Sequence, residues 1–244
     1  MLIKALESID VSVSYGAAEP VLTGASFVLK RGELAAVVGP NGAGKSTLFR
    51  ALAGFVDHEG DVVVNGEKCH HLERESIAYI PQQNEIDLRF PITVEEVVMA
   101  GRRRFHRVRM RPTAEDHVKV RACLAEMDLA DQSERPLAML SGGQLQRVLI
   151  ARALAQEASV LLLDEAMSGV DSSHVSELMR LFGDLCAHGT AILVSTHDLG
   201  LVRQQFPRCI AVNGSVLGDG DPTVQLSGEL LERLFSRARG AEGP

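Results

Sequence analysis

Residues 39–47 read GPNGAGKST, a glycine, four residues, a second glycine, a lysine and a hydroxyl, directly after the apolar run LAAVV at 34–38. A glycine-rich turn between strand and helix points backbone N–H groups inward, and the helix adds the positive end of its dipole, so the stretch is an anion cradle. In this pattern Gly39, Pro40, Asn41, Gly42, Ala43 and Gly44 wrap a phosphate chain. Lys45 reaches the β- and γ-phosphates, Ser46 ligates Mg²⁺ and Thr47 donates on the α-phosphate side. Such a site needs a carboxylate for the metal at the end of a neighbouring buried strand, and VLLLDE at 160–165 supplies Asp164. Glu165, one residue on, stands where a base could polarise an attacking water.

LSGGQLQR at 140–147 is a second glycine-rich stretch. Ser141 can cap a helix, Gly142 and Gly143 permit close backbone approach, and the helix from Gln144 onward aims its N-terminus outward. It has no strand before it and no lysine, so it is no second complete nucleotide site. One reading is a serine-capped helix whose glycines serve packing. The reading that uses both loops has 141–144 completing a site on another copy, closing over the γ-phosphate held by that copy's 39–47 loop.

These residues need a frame. Short apolar runs recur at 34–39, 160–165, 191–196 and 209–214 with helical patterns between several of them, which predicts a largely parallel sheet flanked by helices. VSVSY and PVLTGASFVL, split by the turn-like GAAEP, predict antiparallel strands leaning on that sheet. From about 92 to 157 strand signals vanish, and TVEEVVMAG, TAEDHVKVRACLAEMDL and GQLQRVLIARALAQ all suit helices. The expectation is an α/β fold with a mostly parallel core sheet, an N-terminal antiparallel part and an inserted helical part. At 244 residues and 45% hydrophobic content the chain can bury a substantial core, and no internal repeat or linker marks independent domains.

The longest apolar runs fall far short of the roughly 20 residues that cross a bilayer, and MLIKALESIDVSV carries no secretory pattern. The default compartment is the cytoplasm. Four scattered cysteines fit reduced packing thiols, and CHH at 69–71 lacks the ligand spacing of a zinc site. A net charge of −7 argues against a nonspecific nucleic-acid binder. The local exception, GRRRFHRVRMR at 101–111, is read as a solvated face, with contact to anionic lipid or acidic partner loops as the functional alternative.

Taken in order, the motifs resemble those of the nucleotide-binding subunits of ATP-binding cassette (ABC) transporters, which have the P-loop NTPase fold, over nearly the full length. GPNGAGKST is similar to the Walker A loop, LSGGQ to the family signature, VLLLDE to Walker B, SGVD at 168–171 to the D-loop, and STHD at 195–198 to the switch containing His197. YIPQQ at 79–83 resembles the Q-loop, with Gln82 at the position that senses Mg²⁺, water and the membrane partner. Tyr15 resembles the aromatic that stacks on adenine. Without the resemblance, a strand tyrosine is more often core and a lone histidine at a strand end more often structural.

The resemblance implies a head-to-tail pair with two ATP molecules between Walker A of one copy and the signature of the other. It implies Glu165 as general base and His197 on the γ-phosphate. Mg²⁺ is held at Ser46, Gln82 and Asp164, and Ser141, Gly142, Gly143, Gln144 and Asp171 act in trans. It divides the single domain into a core of 1–91 and 158–244 and a helical subdomain of 92–157. Many relatives have proline after the Walker B glutamate, whereas Ala166 stands here, which loosens the expectation for hydrolysis rate.

The implied partners are transmembrane permease subunits and an extracytoplasmic substrate-binding protein, with this chain peripheral on the inner face of the membrane. NEIDLRFPITVEEVVMAGRRR at 84–104 resembles a segment of manganese and zinc import ATPases, and also of those for siderophore-bound iron, haem and cobalamin. A soluble ABC ATPase acting in DNA repair or on ribosomes is the rival of another class. The interval from Gly39 to Ser141 leaves no space for the coiled coil such chains usually carry.

Overall fold

The computed structural model describes residues 3–16, 19–68, 76–82, 85–102, 111–165, 167 and 172–236. Among these, the first sheet has the order β2-β1-β4-β5, all antiparallel, from β1 (Lys4–Val13), β2 (Leu22–Lys30), β4 (Glu59–Val64) and β5 (Glu67–Lys68). The second has the order β10-β9-β3-β8-β7-β6, from β3 (Leu34–Val38), β6 (Ile77–Ile80), β7 (Val160–Leu163), β8 (Ala191–Thr196), β9 (Cys209–Val212) and β10 (Val216–Gly220). Its strands run parallel except β10, which returns antiparallel along β9.

The central strands read as continuous apolar runs because both faces are covered. Alternation along β3 sends Ala36 and Val38 into one core and Ala35 and Val37 into the other, and β7 splits Leu161 and Leu163 from Val160 and Leu162 in the same way. One core is closed by helix α1 (Lys45–Leu52), through Leu48, Phe49 and Leu52, and by the antiparallel sheet. The other is closed by α5 (Ser172–Ala187), α6 (Leu199–Gln205) and the helices of the middle segment.

That segment holds α2 (Val94–Ala100), α3 (Ala114–Glu126) and α4 (Gly142–Ala155). Each opens on a closed capping box, Thr93 with Glu96, Thr113 with Asp116 and Ser141 with Gln144. The described residues end on two helices, α7 (Pro222–Gln225) and α8 (Gly228–Ser236). No described helix is long and apolar enough to cross a membrane.

One expectation fails here. Arg102, the first of the arginines read as a solvated face, is 5% exposed. Its Nε donates to Asp116 Oδ1 at 2.9 Å and its Nη1 to the Ala155 carbonyl at 3.0 Å, so it ties the starts of α3 and the end of α4 to the end of α2. A charge is buried there because a carboxylate and a helix C-terminal carbonyl both meet it. Arg111 is exposed, and the run from 103 to 110 lies outside the described residues. Cys123, Cys186 and Cys209 are free thiols, and burial pushes each up to about 11. Cys69 and the CHH stretch fall outside the described residues.

Candidate nucleotide site

Parallel pairing assembles the site. Val38 lies opposite Thr196, Leu163 opposite Val194 and Ile80 opposite Leu163. Strands β3, β6, β7 and β8 therefore end level with one another, and the residues just beyond them, Gly39, Gln82, Asp164, Glu165 and His197, collect at the C-terminal edge of the sheet. β8 runs between β3 and β7, so Asp164 comes from the next strand but one and not from the loop's immediate neighbour.

Residues 41–47, with Val21, Gln82 and Glu165, line a hollow of about 360 Å³. Gly42 and Gly44 have φ of +77° and +94°, the left-handed region that favours glycine. Gly39 does not share that need. A Cβ there would stand 2.1 Å from the Val212 carbonyl oxygen, so glycine is required by the close approach of β9. Gly44 is the N-cap of α1, with no side-chain cap and no acidic residue in the first turn, so the helix itself does not neutralise the positive end of its dipole. Lys45 is 5% exposed, and its Nζ donates to the carbonyls of Gly39 at 2.9 Å and Pro40 at 3.0 Å. Burial pulls its ammonium below the usual lysine range, and the Glu165 and Asp164 carboxylates act against that pull.

Asp164 is wholly buried. Its Oδ1 accepts from Ser195 Oγ at 2.5 Å and its Oδ2 from the Tyr79 hydroxyl at 3.2 Å. Ser195 Oγ also accepts from the Glu165 N–H at 2.9 Å. Glu165 has φ +48°, a conformation that a non-glycine residue adopts at a cost of order 1–3 kcal/mol and that clusters at functional sites. Its Oε1 stands 3.6 Å from His197 Nδ1. The other residues of STHD set that geometry: Thr196 Oγ1 accepts from the Asp198 N–H, and Asp198 caps α6 by accepting from the Leu201 N–H.

The remaining expected residues fall elsewhere. Tyr15 is about half exposed and lines a separate hollow with Phe55, Val56 and Asp57. None of residues 141–144 lines the hollow of the 39–47 loop in the same chain. Gly142 and Gly143 are the first residues of α4 and do not precede it. Ser141 Oγ accepts from the Gln144 N–H at 3.3 Å, and Gln144 Oε1 accepts from the Ser141 N–H at 3.0 Å. Arg147, one turn on, pairs with Glu177 of α5 at 2.5 Å and with Asp128 at 3.2 Å, so the start of α4 is tied to the core. Asp171, Ala166 and the whole 168–171 stretch lie outside the described residues.

Two polar contacts to Asp164 escaped the sequence reading. Ser195 and Tyr79 both sit inside quoted motifs, STHD and YIPQQ, but neither motif says that their hydroxyls converge on one carboxylate.

Residues 22–168 match the family described as ABC transporter. A manganese transport system ATP-binding protein of Synechocystis is 38% identical over 231 residues, covering 93% of this chain and 89% of that protein. A zinc transport system ATP-binding protein of Treponema pallidum is 34% identical over 227 residues, covering 93% and 85%. Among solved structures, cbiO1 of Clostridium perfringens, part of the ABC transporter complex cbiONQ, superposes with a TM-score of 0.78 at 28% identity, covering 96% and 95%.

Proposed function

This chain belongs to the ABC transporter family, and from that premise we propose that it is the ATP-hydrolysing subunit of a metal-ion importer, acting as a head-to-tail pair. The observation that carries the catalytic reading is the meeting at one sheet edge of the 39–47 loop, buried Asp164 and the Glu165–His197 pair. In this reading the loop and Lys45 hold the phosphates. Glu165 takes the proton of the attacking water, and His197, 3.6 Å away, orients that water on the γ-phosphate.

Ser46, Gln82 and Asp164 offer the hard oxygen donors that suit Mg²⁺. When bound, that ion neutralises charge on the phosphate oxygens. Ser141, Gly142, Gly143, Gln144 and Asp171 of one copy close over the nucleotide of the other. The separation of 141–144 from the 39–47 hollow within one chain supports this division. Tyr15 stacks on adenine from the neighbouring hollow. The test is Glu165→Gln. Turnover falls by about 10²–10⁴, the range for a lost general base, while ATP binding survives; normal turnover rejects Glu165 as the base.

The proposed working units are a core of 1–91 and 158–244 and a helical subdomain of 92–157 that, with the Gln82 loop, docks on permease subunits at the inner face of the membrane. A substrate-binding protein outside the membrane delivers the cargo. The names of the two transport relatives support manganese or zinc as that cargo. Metal uptake by the reconstituted complex, compared for the two ions, distinguishes them, and uptake of neither sets the cargo proposal aside.

A further inference from the structure

We propose that Tyr79 is a positioning residue whose hydroxyl fixes the rotamer of Asp164 and thereby sets the affinity of the site for a divalent cation. The proposal rests on the nucleotide-site reading above and adds a residue to it.

The torsion that turns an aspartate carboxylate about its Cβ–Cγ bond is broad and roughly two-fold. A donor on one oxygen leaves the group free to rock, whereas a donor on each oxygen pins its plane. Asp164 has one on each, Ser195 Oγ at Oδ1 and the Tyr79 hydroxyl at Oδ2. An ionised carboxylate offers about four lone-pair positions, so two hydrogen bonds leave others for a cation or its waters.

Tyr79 is itself held. Its ring lies 5.6 Å from that of Phe55, tilted by 54°. Arg50 of α1 faces its hydroxyl and pairs with Glu85 at 2.5 Å, and the Glu85 N–H donates to the Gln82 carbonyl at 3.0 Å. A tyrosine hydroxyl keeps its proton throughout neutral pH, so it is a donor there. The cation carboxylate, the end of α1 and the Gln82 loop are thus joined through one tyrosine.

Tyr79→Phe keeps the ring and removes the hydroxyl. Mn²⁺ binding to the full chain with ATP present is followed by electron paramagnetic resonance, and ATP binding in EDTA by calorimetry. The expected result is a half-saturating Mn²⁺ concentration raised about 10- to 150-fold, the scale of a hydrogen bond to a charged group, with metal-free ATP affinity unchanged. An unshifted Mn²⁺ titration overturns the proposal. An equal loss of metal-free ATP binding also overturns it, because Tyr79 would then act through packing. If the phenylalanine variant does not fold, Tyr79→Met repeats the test with another donor-free side chain. Asp164→Asn separates the two layers: if it binds Mn²⁺ with ATP as the wild type does, the nucleotide-site reading itself fails.

Discussion

Helices α1 and α4 both start at glycines, but their first turns are finished differently. Gly44 caps α1 in a left-handed conformation with no side-chain bond, behind a strand and a loop, and Lys45 is the first residue of the helix. Ser141 caps α4 in an extended conformation and closes a reciprocal box with Gln144, behind a short 3-10 turn at Leu137–Met139. The first turn has no side-chain cap, and the buried ammonium beside it is held by the Gly39 and Pro40 carbonyls. The second settles its cap internally and presents an exposed Ser141. In the proposed reading the first holds a ligand and the second is a firm surface placed against one, the division of labour that a site shared between two copies requires.

The sharpest way to break the comparison is at α1. Lys45→Ala should lower turnover by about 10³-fold, the scale of losing a preorganised charge in a phosphoryl-transfer site, in a steady-state phosphate-release assay. Behind α4 the expected loss is in stability. Arg102→Ala removes the guanidinium paired with buried Asp116 and should cost about 3–5 kcal/mol, as breaking a buried pair does, read from urea unfolding. Ser141→Ala removes only the cap and should cost about 1 kcal/mol. It should leave ATP binding to the isolated chain intact, because Ser141 does not line the hollow of its own 39–47 loop.

The smallest effect is alkaline and sets the thiols of the two cores against Lys45 of α1 by sign. The thiols of half-buried Cys123 and Cys186 and of buried Cys209 hold their protons up to about 11 against a usual 9.0. The folded state therefore binds more protons than the unfolded one in that window, and stability present below pH 9 is lost as pH rises through about 11. Lys45 is pulled the other way, so just below 10.5 the unfolded state binds the extra proton and stability rises with pH. The urea midpoint should fall between pH 9 and 11, and fall more steeply in Lys45→Ala.

The apolar runs announced β3, β7, β8 and β9 because a strand covered on both faces leaves a continuous signal. The glycine, lysine and acidic positions of the loop and of β7 were legible for a similar reason, since local backbone demands tie residue type to place. β4 was missed: its first half, EGD, carries no apolar side chain and opens on two exposed residues, and only the VVV that follows is buried. Tyr79, Ser195 and Asp164 meet only because sheet register lines up β6, β7 and β8, and no spacing in the chain encodes that. Arg102 was misread because a run of arginines looks solvated by composition, while its burial is decided by Asp116 and by a carbonyl at the far end of α4. What requires glycine at 39 is the Val212 carbonyl of β9, a long-range neighbour that the loop's own sequence does not reveal.

The central claim is that each catalytic centre is divided between two copies, and mixing two crippled chains tests it most directly. Lys45→Ala and Gly143→Asp should each be nearly inactive alone. Mixed in equal amounts and allowed to exchange, they should recover about a quarter of wild-type turnover, since half of the pairs are mixed and each mixed pair carries one intact centre. A mixture no more active than its components, or full turnover by Gly143→Asp alone, would contradict it.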